Sequence, residues 1–261
     1  MGVGNCKFCR AMDEATVKKV IRDLAACIDH TLLRPEASRV QIEQLCREAI
    51  EYGFYGVCVN GSWVRLAREL LEDSDVRVVC VVGFPLGAAA ADVKRFETEA
   101  AIDDGADEID VVLNIGRLKE GDESYVLREL RDVVEAAQDH VVKVIIETGL
   151  LTEEEKVRAC HCVLDSGAHF VKTCTGFGPS GATINDVQLL REIVGPRFGV
   201  KAAGGIRDAY TALAMLRAGA NRLGTSASVS IIKGVQDALA RIEAEGLPVF
   251  PSTCEGQQGG Y

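Results

Sequence analysis

Short apolar runs alternate along the chain with longer stretches in which apolar residues recur every three or four positions. The runs at 28–33, 56–60, 77–82, 108–113, 141–147, 170–173, 199–203 and 222–224 are rich in β-branched residues and read as strands. The stretches between them read as helices. Segment 40–52 carries Val40, Leu45, Ala49 and Ile50, and segment 89–104 sets Ala89, Val93, Phe96, Ala100 and Ala101 on one stripe with charges opposite. At 152–165, Thr152 precedes three glutamates and Glu155 follows it by three. This predicts a capping box with acids at the positive end of the helix dipole. Asp208 is placed to cap the helix after it. Gly105, Gly167 and Gly219 each end a helical stretch just before a strand, where a left-handed residue suits the C-terminal cap.

The strands are apolar throughout, as parallel strands covered on both faces should be. Eight strand–helix units in 261 residues predict an α/β chain closed into a (β/α)8 TIM barrel. An amphipathic segment, 12–26, precedes the first strand and is expected as an extra N-terminal helix at the barrel bottom. From 248 to 261 Pro, Ser, Gly and Gln replace the apolar pattern, which predicts a flexible C-terminal tail. No linker divides the units, so 1–261 is expected to be a single domain.

Charge and cysteine content narrow the partners. A net charge of −10 without a basic stretch argues against nucleic acid and anionic membranes. No apolar run reaches the ~18–20 residues of a membrane span. The first fourteen residues lack the apolar core of a signal peptide, so a cytoplasmic location is expected. Cys27, Cys46, Cys58, Cys80 and Cys174 sit among apolar or small residues and read as free thiols in a reducing compartment. Cys6, Cys9, Cys160 and Cys162 could supply four ligands to zinc, but neither pair has a finger spacing, and no metal is expected.

Chemistry in such a barrel gathers at the C-terminal ends of the strands. There Lys172 closes the sixth run and Lys201 lies in the seventh. Burial disfavours a lysine's charge, and a second lysine on the neighbouring strand does so further. A neutral amine is what attack on a carbonyl needs; the alternative is a lysine reaching out to solvent. Asp110, flanked by Ile109 and Val111, could pair with a lysine and shuttle protons, or form a structural ion pair. Lys143 and Glu147 share strand parity and are expected to pair inside the barrel. Glycines follow runs six, seven and eight at Gly176-Phe177-Gly178, Gly204-Gly205 and Gly224-Thr225-Ser226. With Ser226 expected to open a helix, these loops predict a phosphate site.

Several segments together resemble the deoxyribose-phosphate aldolases over about residues 15–245. They are Ile28-Asp29-His30-Thr31-Leu32-Leu33, Val82-Gly83-Phe84-Pro85-Leu86-Gly87, Gly105-Ala106-Asp107-Glu108-Ile109-Asp110, Lys143-Val144-Ile145-Ile146-Glu147-Thr148, Phe170-Val171-Lys172-Thr173 and Val200-Lys201-Ala202-Ala203-Gly204-Gly205-Ile206-Arg207. The resemblance implies reversible cleavage of 2-deoxy-D-ribose 5-phosphate to D-glyceraldehyde 3-phosphate and acetaldehyde. It implies that Lys172 forms the imine, Lys201 perturbs it and Asp110 donates or accepts protons. It further implies that Asp29, Thr31, Cys58 and Thr173 bind substrate, and that Gly176, Gly204, Gly205 and Ser226 hold its phosphate. No cofactor or metal is implied, since the protonated imine is the electron sink. A homo-oligomer, dimer or tetramer, is expected. Cys174 departs from the small residue, usually serine, that the family has after Lys-Thr. A chain ending in tyrosine resembles some members, and Tyr261 is a candidate proton relay or a mere ornament. Another Schiff-base aldolase, a transaldolase-like barrel or a sugar-phosphate binder without turnover are the rival readings.

Overall fold

The computed structural model describes residues 14–245. Cys6, Cys9, Tyr261 and the tail 248–261 lie outside the described residues. Eight parallel strands close into a barrel in sequence order: β1 Ile28–Leu32, β2 Gly56–Val59, β3 Arg77–Val82, β4 Glu108–Val112, β5 Val141–Ile145, β6 Phe170–Lys172, β7 Gly199–Ala203 and β8 Arg222–Thr225. The helices are α1 Glu14–Ala25, α2 Arg39–Tyr52, α3 Val64–Leu70, α4 Ala91–Asp103, α5 Ile115–Lys119, α6 Glu123–Ala137, α7 Glu153–Ser166, α8 Ile184–Val194, α9 Ala209–Arg217 and α10 Ser228–Glu245. The principal core lies between the strands' outer faces and the surrounding helices, with Val57, Ile109, Val144, Val171 and Leu223 fully buried.

Local chemistry sets the joints. Thr152 and Glu155 form the expected capping box, and Asp208 accepts a hydrogen bond from the Thr211 N–H. Gly105, Gly167 and Gly219 have φ of 100°, 86° and 115°, a region that costs a side chain with a Cβ. Helix α1 packs on α10. Its last carbonyl, that of Ala25, accepts the Tyr55 N–H just before β2, so the helix ends at the barrel's N-terminal rim.

Three expectations fail in whole or in part. On α4, Val93 and Phe96 are exposed, at 55% and 71%, while Lys94, Thr98 and Ala101 are buried. The Lys94 ammonium donates to the carbonyls of Gly87 and Val112 and pairs with Glu129 at 2.9 Å. The carbonyls of Gly87 and Val112, which need a donor, thus draw Lys94 inward. Val40 and Ile50 of α2 also face solvent, leaving Ile42, Leu45, Cys46 and Ala49 to the core. Ser226 does not open a helix: α10 begins two residues later, at Ser228.

Candidate active site

Inward-pointing positions on β4 to β8 and β1 carry charge instead of the branched aliphatics that usually fill such a barrel. Asp29, Glu108, Asp110, Lys143, Lys172, Lys201 and Arg222 are all buried. Register places Lys172 beside Lys201 and Asp110 beside Lys143. Asp110 is the hub. Its Oδ2 accepts from Lys172 and Lys201, each at 2.7 Å, and its Oδ1 accepts from Lys143 at 2.7 Å. Lys143 also meets Glu108 at 2.6 Å. Lys201 donates to Asp29. Arg222 Nη1 donates to Asp29 at 3.0 Å and to Glu108 at 3.1 Å, with its guanidinium stacked on Tyr55.

Burial alone would raise the Asp110 carboxyl, but Lys143, Lys172 and Lys201 outweigh it and hold it well below the ordinary range. Burial alone would lower Lys201, but Asp110 and Asp29 outweigh it and keep that amine a firmer cation than usual. Lys143 is raised in the same way, burial again opposing and Asp110 prevailing. The network therefore has four basic groups, Lys143, Lys172, Lys201 and Arg222, against three carboxylates, Asp29, Glu108 and Asp110. It is electrically balanced when one amine carries no proton.

A cavity of about 680 Å3 opens over this network. Lys172 is the one network side chain among its lining residues. Thr31, Gly176, Gly204, Gly205 and Ser226 line it too, so the three glycine loops meet at one mouth. At Gly204, φ is 92° and an added Cβ would lie 3.2 Å from Gly181 and 3.3 Å from Cys174, so this crossing of loops requires glycine. The other candidates sit behind the wall. Asp29 is fully enclosed by Lys201 and Arg222. The Thr173 hydroxyl donates to the Ala203 carbonyl and accepts from the Ala203 N–H, joining β6 to β7. Cys58 belongs to a small apolar cluster with Leu33, Val79, Val81 and Phe84.

Lys143 and Glu147 do not pair. Glu147 lies past the end of β5 with φ 55° and ψ 66°, so strand parity does not apply to it. Its carboxylate accepts from the N–H and hydroxyl of Thr175 instead. Glu108 and Arg222 were missed by sequence reasoning, although Glu108 shares parity with Asp110 and Arg222 with Gly224. Cys160 and Cys162 are buried on α7, and burial pushes their thiols up to about 12 and about 11. Among the described residues no group of three or more His, Cys, Asp or Glu is arranged to hold a metal ion, and no helix is long and apolar enough to cross a membrane.

The family model described as DeoC/LacD family aldolase matches residues 10–235. The deoxyribose-phosphate aldolase of Thermococcus gammatolerans is 56% identical over 220 residues, 83% of this chain and 98% of the relative. That of Bdellovibrio bacteriovorus is 56% identical over 211 residues, 81% of this chain and 96% of the relative. The tetrameric deoxyribose phosphate aldolase of Aeropyrum pernix superposes with a TM-score of 0.79 at 34% identity, covering 83% of this chain and 92% of that one. A model match over most of the chain, with relatives this similar along nearly their whole length, means that the chain belongs to the DeoC/LacD family of aldolases.

Proposed function

We propose that the chain is a deoxyribose-phosphate aldolase that cleaves 2-deoxy-D-ribose 5-phosphate reversibly to D-glyceraldehyde 3-phosphate and acetaldehyde through an imine on Lys172. The observation that carries the residue assignment is the lone position of Lys172 on the cavity within a network one proton over balance. As a free amine Lys172 adds to the substrate aldehyde, and loss of water leaves a protonated imine. The imine restores the positive charge beside Asp110 Oδ2, where a fixed carboxylate stabilises it without reorganisation. Removal of the C3 hydroxyl proton breaks the C2–C3 bond, and the electron pair moves to the imine nitrogen as an enamine. Glyceraldehyde 3-phosphate leaves; protonation of the enamine carbon and hydrolysis release acetaldehyde.

In this reading Asp110 accepts and returns protons at the Lys172 nitrogen, and Lys201 shares Asp110 Oδ2 with it. Asp29 acts by fixing Lys201, while Thr31, Cys58 and Thr173 shape the sugar site. The loops of Gly176, Gly204, Gly205 and Ser226 receive the phosphate through backbone N–H groups. The Tyr261 phenol relays a proton to the enamine carbon, a role read by deuterium exchange into acetaldehyde in Tyr261→Phe; an unchanged rate would exclude it. A cytoplasmic homo-oligomer, dimer or tetramer, belongs to the same reading, and sedimentation measures its size.

Borohydride reduction in the presence of acetaldehyde alone tests the assignment. An ethyl group on Lys172, located by peptide mass spectrometry, is expected. A modified lysine elsewhere would move the chemistry, and no adduct would point to a different aldol donor or to a binder without turnover.

A further inference from the structure

His30 lies between Asp29 and Thr31 in sequence but points the other way, out of the barrel wall towards α2 and α10. It is 4% exposed, lines the cavity, and takes no part in the chemistry above. Its Nε2 lies 2.8 Å from the carboxylate of Glu48 on α2, and its Nδ1 lies 2.9 Å from the hydroxyl of Ser228 in the first turn of α10. The same hydroxyl lies 3.1 Å from the carbonyl of Thr225.

Counting donors and acceptors gives this chain two states. A carboxylate only accepts, so Nε2 carries a hydrogen towards Glu48 in both. With His30 neutral, Nδ1 is an acceptor and the Ser228 hydroxyl must point at it. With His30 protonated, Nδ1 becomes a donor and the hydroxyl is released to the Thr225 carbonyl. That carbonyl belongs to the same planar peptide group as the Ser226 N–H. A hydrogen bond at one end of a peptide group polarises the other. Both effects of the proton, the new positive charge and the better Ser226 donor, favour an anion at the loop where the substrate phosphate is assigned.

We propose that His30, with Glu48 and Ser228, is a proton switch that couples the charge on the imidazole to the affinity of the anion seat at Ser226. The proposal rests on the functional reading above for the position of that seat. His30 is a positioning residue, since both its nitrogens are occupied by protein groups. The groups facing it are Glu48 from α2, held by Gln44 of the same helix, Ser228 from α10, the Thr225 carbonyl from β8 and the Phe54 ring at 5.2 Å. Lys233 acts on Glu48 from α10, and Arg34, Arg207 and Lys172 share the cavity. Burial holds the imidazole below its ordinary range although Glu48 opposes it, so the empty protein keeps His30 neutral at neutral pH. An anion in the seat favours the protonated state. By linkage the two effects are equal: anion binding roughly fivefold tighter to the protonated form raises the His30 pKa by about 0.7.

The test uses the full chain and sulfate, an anion whose charge does not change from mildly acidic to mildly alkaline pH. Ring C–H signals of the four histidines are followed against pH by NMR, with His30 assigned from His30→Gln. Saturating sulfate is expected to move the His30 midpoint up by about 0.7 or more, and sulfate binding is expected to weaken as pH rises through that midpoint. Ser228→Ala should still bind sulfate but shrink the shift, which a purely packing role for the serine would not do. An unmoved His30 midpoint under saturating sulfate overturns the switch, as does a His30→Gln protein whose sulfate affinity keeps the wild-type pH dependence. Failure of sulfate to compete with 2-deoxyribose 5-phosphate at any pH would remove the anion seat, and the switch with it. An adduct on Lys172 in the trapping experiment would leave the aldolase chemistry standing in either case.

Discussion

At the scale of single residues, the behaviour of Lys172 is governed by the count of charges around it. Lys172→Ala should reduce turnover to background, because among the described residues no other amine lines the cavity to form the electron sink. It should fold normally, since three basic groups then face three carboxylates. Lys201→Leu reaches the same balance by a different route, with Lys143, Lys172 and Arg222 facing the three carboxylates and Asp110 Oδ2 left to Lys172 alone. We expect this variant to fold and to lose roughly 10²–10⁴-fold in turnover. Near-normal turnover would show that Lys201 is not needed for the chemistry at Lys172.

At the scale of elements, helix α4 separates apparent from real amphipathicity. Lys94→Ala strands Glu129, fully buried, without its cation, and a loss of about 3–5 kcal/mol is expected in denaturant unfolding. Phe96→Ser, on the side that looks like a core stripe, should change stability by no more than about 0.5 kcal/mol in the isolated chain. Equal losses in the two variants would contradict the orientation described. The loop after β8 gives a functional counterpart. Ser226→Asp sets a carboxylate against the substrate dianion, so KM for 2-deoxyribose 5-phosphate should rise far more than KM for 2-deoxyribose. Parallel changes for both substrates would place the phosphate elsewhere.

At the scale of the whole molecule, the buried network ties stability to pH at both ends. Asp29 and Asp110 sit below their ordinary 3.8 in the folded state. Their contribution is therefore complete above that value and is lost as pH falls through the folded-state values beneath it. Lys143 and Lys201 sit above their ordinary 10.5, so their contribution is complete below it and is lost as pH rises beyond. His30 adds a smaller acid step. It sits below its ordinary 6.5, so the unfolded chain takes up its proton first and stability begins to decline as pH falls below that value. Denaturant midpoints measured across pH should show a broad plateau, a shallow decline on the acid side and a steep one further down. A steep fall already near neutrality would mean that another group dominates.

Sequence alone was enough for the barrel, because strand and helix periods, caps and terminal glycines are local consequences of backbone sterics and of water's exclusion of apolar side chains. Thr152 with Glu155, Asp208 and the glycines at 105, 167 and 219 act within a few residues, and each stands where its pattern puts it. Lys172, Lys201 and Asp110 were also legible, since a charge inside an apolar strand is conspicuous whatever surrounds it. What the sequence left open is which charge meets which. Lys143 turned to Asp110 and Glu108 rather than Glu147, Arg222 closed the ring from the far end of the chain, and α4 buried a lysine in preference to a phenylalanine. Those choices were made by barrel closure, which brings β8 to β1 and sets the strand register, and by the carbonyls of Gly87 and Val112, which had to find a donor. Electrostatic pairing depends on distances of a few ångström between residues far apart in the chain, and only tertiary structure supplies them.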